Sequence, residues 1–247
     1  MAEKKPLVIV TRRLPEGIER EMRESFDARL NADDTPMDAA RLKAAMAEAD
    51  VLVPTVTDRV GAEIIGATGP RLKLIANFGV GFNHIDVKAA AARGIAVTNT
   101  PGVVTDATAD IGMTLMLAVT RRAIEGAKLL AEGKFTGWCP TWMMGVGLRG
   151  RKLGIVGMGR IGEAMARRSQ AFGMEIHYYN RRRVSSDVER ELAATYWATL
   201  DAMLPEMDIV SINCPHTPET YHLFSAARLA LMKPPCYLIN TARGEIV

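Results

Sequence analysis

The sequence predicts an α/β protein of two parallel-sheet domains, and three observations predict it. Short apolar runs alternate with stretches of helical periodicity. The pattern restarts near residue 150, after a loop rich in glycine and tryptophan. A Gly-X-Gly-X-X-Gly turn, Gly157-Met158-Gly159-Arg160-Ile161-Gly162, stands between the first apolar run of that restart and its first helix.

The first half opens with Leu7 to Thr11, a short apolar run that reads as a strand. Residues 37–49 place Leu42, Ala45, Met46 and Ala49 at helical spacing. Val51 to Pro54 and Leu72 to Ala76 are further strands, and the latter runs into a glycine turn, Asn77-Phe78-Gly79-Val80-Gly81. Residues 86–93 make a helix stopped by Gly94, and Ile95 to Asn99 a strand. A long helix starts near Thr105. Thr105 or Asp106 can cap it, Asp106 and Asp110 suit its positive end, and Ile111, Leu115, Ala118 and Val119 are its expected buried stripe.

The domain junction is expected around residues 100–105, dividing the chain into domains 1–101 and 102–247. The second half runs through a loop from Gly133 to Gly150, a strand at Lys152 to Val156, a helix at 160–172 ended by Gly173, and a strand at Glu175 to Tyr179. Later strands are expected at Asp208 to Asn213 and Cys236 to Asn240, with a helix near 225–232 between them.

Composition excludes several function classes. The chain has 247 residues and is 48% hydrophobic, enough for a well-buried core. No window approaches the ~18–20 apolar residues of a membrane span. Lys4 and Lys5 precede an apolar run, Leu7 to Val10, too short for a signal peptide. The net charge of +3 is small and scattered, which argues against nucleic acid as a partner. Cys139, Cys214 and Cys236 are far apart and form no CxxC, so free thiols, no metal site and a cytoplasmic setting are expected.

The glycine turn has the context that gives such a motif meaning: a strand before it and a helix after it. Gly157 permits the tight turn, Gly159 lets the backbone approach a pyrophosphate, and Gly162 allows close helix–strand packing. The phosphates would sit on free amides at the helix start. Roughly 20 residues on, an NAD site usually carries an acid for the ribose 2′-hydroxyl. This chain has Asn180-Arg181-Arg182-Arg183 instead. A guanidinium can grip a 2′-phosphate with two hydrogen bonds, so NADP(H) is expected over NAD(H), with NAD(H) as the alternative cofactor. The bland reading, a solvated basic loop, is attached chiefly to Arg183.

Five motifs occur in order: Asn77-Phe78-Gly79-Val80-Gly81-Phe82-Asn83-His84-Ile85-Asp86, Asn99-Thr100-Pro101-Gly102, the glycine turn, Cys214-Pro215-His216-Thr217-Pro218-Glu219-Thr220, and Asn240-Thr241-Ala242-Arg243-Gly244-Glu245. Together they resemble the D-isomer-specific 2-hydroxyacid dehydrogenases, and within them the glyoxylate/hydroxypyruvate reductases. The resemblance implies two Rossmann-like domains, a flavodoxin-like substrate domain and an NAD(P)-binding domain, that reduce a small 2-keto acid by hydride transfer. It implies that Val80 and Gly81 offer amides to the substrate carboxylate. Arg243 would bind that carboxylate and polarise the keto oxygen, the one catalytic side chain of the family's three within this chain. Gly159, Arg160 and Ile161 would hold the pyrophosphate, and Asn180, Arg181 and Arg182 the adenosine end. Cys214, Pro215, Thr220, Thr241 and Ala242 would line the cofactor.

The resemblance further implies a homodimer built on the long helix, with Trp138 or Trp142 near the pocket or simply packing the interface. His84 and His216 do not sit where the family places its proton donor, and His177 and His222 read as structural. The family's glutamate and histidine lie downstream of the last motif, and the chain ends at Val247. The expectation is therefore an incomplete form, with a second domain truncated before its last strands and poor turnover. The competing reading is a nucleotide-binding, non-catalytic module, such as a corepressor.

Overall fold

The computed structural model describes residues 4–247. The chain divides into two compact units, Met1–Val103 and Val104–Val247. The first contains β1 (Leu7–Val10), α1 (Glu16–Ser25), β2 (Asp27–Arg29), α2 (Ala39–Glu48), β3 (Val51–Val53), α3 (Ala62–Gly66), β4 (Leu74–Ala76), α4 (Val87–Ala92) and β5 (Ala96–Thr98). All its strand pairs are parallel, in the order β2-β1-β3-β4-β5. β1 is buried on both faces, as parallel strands are when helices cover both sides. Leu7 and Ile9 pack with Leu42, Met46 and Ile64, while Val8 and Val10 pack with Leu14 and Met22. Side-chain caps start two of the helices: Asp38 accepts the Arg41 N–H at 2.8 Å and Asp86 the Ala89 N–H at 2.9 Å.

Strand order reverses between β1 and β3, the place where an open α/β sheet leaves a crevice. Here a buried polar knot occupies it. Asp58, 4% exposed, accepts from Thr11 Oγ1 at 2.5 Å and from the Thr55 N–H at 2.7 Å. Asn31 Nδ2 donates to the Thr11 carbonyl at 2.7 Å.

The second unit contains α5 (Thr105–Thr120), α6 (Ala123–Ala131), β6 (Lys152–Val156), α7 (Arg160–Ala171), β7 (Glu175–Tyr179), α8 (Ser186–Glu191), β8 (Thr195–Trp197), α9 (Leu200–Met203), β9 (Ile209–Ile212), α10 (Ala226–Leu229) and β10 (Tyr237–Asn240). The sheet is again wholly parallel, in the order β10-β9-β6-β7-β8. Its order reverses between β6 and β9, which puts the glycine turn after β6 at the switch point.

The long helix corrects two expectations. Its N-cap is Val104 and no side chain caps it. Its buried face is Ala109, Gly112, Met113, Met116 and Thr120, whereas Ile111, Leu115 and Val119 are exposed at 55%, 43% and 45%. The helix is apolar on more than one face, and the tight crossing with α7 selects the small and flexible one. A Cβ on Gly112 would lie 2.6 Å from Met165 Sδ. Arg168 of α7 clamps the crossing by pairing with Asp106 at 2.9 Å and Asp110 at 2.7 Å. The helix expected over 225–232 is shorter, spanning only Ala226–Leu229. Sequence periodicity passes over α1, β2, α3, α6, α8, β8 and α9; α1 is so charged that its pattern is carried mainly by Ile18 and Met22.

Candidate functional site

The second unit places the sequence-predicted nucleotide residues around the end of β6. Gly157 has φ +100°, and a Cβ there would lie 2.5 Å from the Cys214 amide nitrogen, so the turn packs directly on the loop after β9. A Cβ on Gly162 would collide with the Gly157 carbonyl. Gly159 differs: its φ is −96° and nothing lies within 4 Å of the Cβ position. No protein atom there requires a glycine. The open space sits beside the start of α7, where first-turn amides lack helical acceptors. That is a cradle a dinucleotide pyrophosphate fits, on the positive end of a 12-residue helix.

Asn180, just past β7, braces the turn: the Met158 N–H donates to its Oδ1 at 2.7 Å. Of the three arginines that follow, Arg183 is committed to Glu189, at 2.7 and 2.8 Å, and its guanidinium lies over the Tyr196 ring at 5.4 Å. Arg181 and Arg182 are exposed and have no hydrogen bond or ion pair among the described residues. The charge of Arg181 reaches across to the loop after β9. Burial pushes the Cys214 thiol up and Arg181 opposes it; the Glu219 carboxyl is held down by Thr217 first, with Arg181 adding to the effect.

In that loop Thr220 Oγ1 accepts from the Thr217 N–H at 2.7 Å and donates to the Pro215 carbonyl at 2.8 Å, so its hydroxyl holds the turn. Two buried atoms there are unpartnered, Asn213 Oδ1 and His216 Nε2. Sequence reasoning does not single out Asn213, since a lone asparagine at a strand end carries no signal. Past β10, Asn240 Oδ1 accepts from the Ala242 N–H at 2.9 Å and its Nδ2 donates to the Arg243 carbonyl at 2.8 Å. This fixes the Thr241-Ala242-Arg243 corner. The half-buried Arg243 guanidinium donates to the Ala242 carbonyl at 2.8 Å and has no ion pair among the described residues.

The first unit places Val80 and Gly81 in the loop after β4, both half-buried. The carbonyls of Gly79, Val80 and Gly81 accept from the side-chain amides of Asn77 and Asn99. The Val80 and Gly81 N–H groups donate to no partner among the described residues. Two adjacent amides without an acceptor, on a loop whose carbonyls are already bonded, are donors suited to an anion.

His177 lies in β7, where its Nδ1 accepts from Trp197 Nε1 at 3.1 Å, and burial lowers its pKa. His222 sits in a turn at φ +48°, stacked on Tyr221. Among the described residues no cluster of three metal-ligand side chains occurs and no helix is long and apolar enough to cross a membrane.

Residues 113–247 match the family described as D-isomer specific 2-hydroxyacid dehydrogenase, NAD binding domain. A glyoxylate reductase from Thermococcus litoralis is 43% identical over 247 residues, covering 98% of this chain and 74% of that protein. Among solved structures, the TT0316 protein of Thermus thermophilus is 41% identical with a TM-score of 0.88, over 98% of this chain and 75% of that one. A glyoxylate reductase from Paecilomyes thermophila is 28% identical with a TM-score of 0.84, over 100% of this chain and 76% of that one.

Proposed function

The chain belongs to the D-isomer-specific 2-hydroxyacid dehydrogenase family, a family of NAD(P)-dependent oxidoreductases, and from that membership we propose that it serves the reduction of glyoxylate or hydroxypyruvate with NADPH. The observation that carries the reading is the open cradle at Gly159, on the switch point of a sheet whose chain is 43% identical to a protein named glyoxylate reductase.

Each residue has a chemical task in this reading. The amides of Gly159, Arg160, Ile161 and Gly162 would take the pyrophosphate. Arg181 and Arg182 would take the 2′-phosphate, for which their lack of ion-pair partners among the described residues is the support. Cys214, Pro215, Thr241 and Ala242 would line the nucleotide. Asn180 and Thr220 would act by holding the glycine turn and the loop after β9. The Val80 and Gly81 amides would bind the substrate carboxylate, with residues 1–101 as the substrate domain and 102–247 as the nucleotide domain. Arg243 would bind a substrate carboxylate and draw electron density from the keto oxygen, a task suited to a group that stays charged. Bound nicotinamide supplies the hydride.

A homodimer is part of this reading. It is supported by the exposed stripe Ile111, Leu115 and Val119 on α5, with Ile124 and Leu130 of α6 exposed at 75% and 64%. Isothermal titration of NADPH and NADH into the chain tests the nucleotide assignment, with tighter binding of NADPH expected. Incubation with NADPH and either keto acid reads the reaction itself, by whether and how fast the matching 2-hydroxy acid forms. Binding of neither nucleotide would sink the proposal.

A further inference from the structure

The loop from Asn77 to Phe82 exposes amides because its carbonyls are held elsewhere, and the holding begins at one histidine. Asn77 is 2% exposed, and its Nδ2 donates to the Gly79 carbonyl at 2.9 Å and the Gly81 carbonyl at 3.0 Å. Asn99 Nδ2 donates to the Val80 carbonyl between them at 2.8 Å. Carbonyl oxygens only accept, so the nitrogen of the Asn77 amide must face them and its oxygen must face the other way. That oxygen lies 2.9 Å from His84 Nε2. An amide oxygen also only accepts, so Nε2 carries a proton here in either charge state of the ring. The Asn77 amide is therefore satisfied at both ends, as a buried amide must be.

We propose that His84 is a positioning residue for the substrate carboxylate: through Asn77 it holds the Gly79 and Gly81 carbonyls inward and thereby keeps the Val80 and Gly81 N–H groups turned outward. The proposal rests on the assignment of those two amides as the carboxylate site. It gives His84 a task other than proton transfer, since its Nε2–H is engaged with a buried acceptor. Without that donor, the Asn77 oxygen would be left unmatched unless the amide rotated. Rotation would face oxygen against the two carbonyls and expel them, turning the peptides that carry the anion-binding N–H groups. The His84 backbone is anchored separately, by the Val60 N–H donating to its carbonyl at 2.9 Å. Changing the ring thus leaves the main-chain connection in place.

The test is a titration of the isotopically labelled full chain with glyoxylate, following the backbone amide resonances of Val80 and Gly81. In the native chain both should move in a saturable way. His84→Ala should weaken binding at these amides by roughly tenfold or more, the effect of losing one buried hydrogen bond and its partner's alignment. His84→Gln, whose side-chain nitrogen can donate at a similar reach, should recover most of it. Asn77→Asp, which keeps the shape but cannot donate to either carbonyl, should weaken binding like His84→Ala. Unchanged resonances from β6 and β7 certify folding of the second unit, and those of Leu52 and Ile75 certify the first. Equal glyoxylate affinity in His84→Ala would overturn the positioning role and leave the carboxylate site standing. A glutamine variant no better than alanine would overturn it as well, reducing the ring to filler. Val80 and Gly81 resonances that ignore glyoxylate in the native chain would overturn both.

Discussion

Arg183 and Glu189 form a two-pronged ion pair, at 2.7 and 2.8 Å, that removes one of three consecutive arginines from the loop after β7. The division of labour is physical. Arg183 is bound to α8 and lies over Tyr196, while Arg181 and Arg182 keep five donors each with no hydrogen bond or ion pair among the described residues. Arg181→Asp should therefore weaken NADPH binding by ~10–100-fold, the loss of about 1.5–3 kcal/mol of charge-assisted hydrogen bonding, and leave NADH nearly unchanged. Arg183→Ala should lower thermal stability and leave the ratio of the two affinities intact. Titration calorimetry with both nucleotides reads both effects. A loss of equal size for NADH in Arg181→Asp would refute the 2′-phosphate assignment.

The same pair makes stability depend on acid. Arg183, and after it the Tyr178 hydroxyl at 2.6 Å, hold the Glu189 carboxyl down at about 2 against an ordinary 4.5. A carboxyl lowered by folding contributes stability that is present above its unfolded value and is lost as pH falls through its folded value. The difference in melting temperature between native chain and Glu189→Gln should thus be full at neutral pH and shrink between about 4.5 and 2. Tyr178 gives the alkaline counterpart. Burial first, then Glu189, raises its phenol to about 12, so its contribution is present below about 10 and fades as pH rises through about 12. A melting-temperature gap that stays constant down the acid limb would refute the coupling.

The three glycines of the turn should separate stability from binding. Gly157→Ala forces a side chain into φ +100° and against the Cys214 backbone, and Gly162→Ala drives a Cβ into the Gly157 carbonyl. Each should destabilise the unit by several kcal/mol, on the order of 3 or more, because the obstacles are backbone rather than flexible side-chain ends. Gly159→Ala has an ordinary φ and open space, so its stability should stay within about 1 kcal/mol of the native chain. Its nucleotide affinity should nonetheless fall tenfold or more, because the methyl group occupies the cradle. Thermal melts with and without NADPH distinguish the cases. A Gly159→Ala chain that binds normally would show that the open space holds no ligand.

The residues legible in the sequence are those whose requirement is local. Lys152–Val156 is readable with its observed bounds because a central parallel strand, buried on both faces, announces itself by its apolar run. The glycine turn is legible because strand, three glycines and helix are contiguous. What the sequence hides is what depends on a distant partner. The buried face of α5 is chosen by Met165 and Arg168, more than 40 positions on, so no window over the helix could select Met116 over Leu115. The Asp58 knot joins residues from three strand ends, and the pairing of His84 with Asn77 concerns the inside of a loop whose outside alone is legible.

Ile111, Leu115 and Val119 recur at intervals of four, so they form one exposed apolar stripe along the helix, and Ile124 and Leu130 of α6 are exposed as well. Met116, about 100° around the helix from Leu115, is fully buried against the sheet and α7. Substitutions on the two faces should have different signatures. Met116→Ala should cost about 2–5 kcal/mol of stability by opening a cavity, whatever the state of assembly. Leu115→Asp should cost a dilute monomer much less, about 1 kcal/mol, since its site is 43% exposed and the main loss is helix propensity. A charge placed in the proposed contact between copies would be desolvated there, so sedimentation should show Leu115→Asp as a monomer at concentrations where the native chain sediments as the expected dimer. A native chain that sediments as a monomer at every accessible concentration would remove the stripe as an interface between copies. A dimer indifferent to Leu115→Asp would move the interface to another surface.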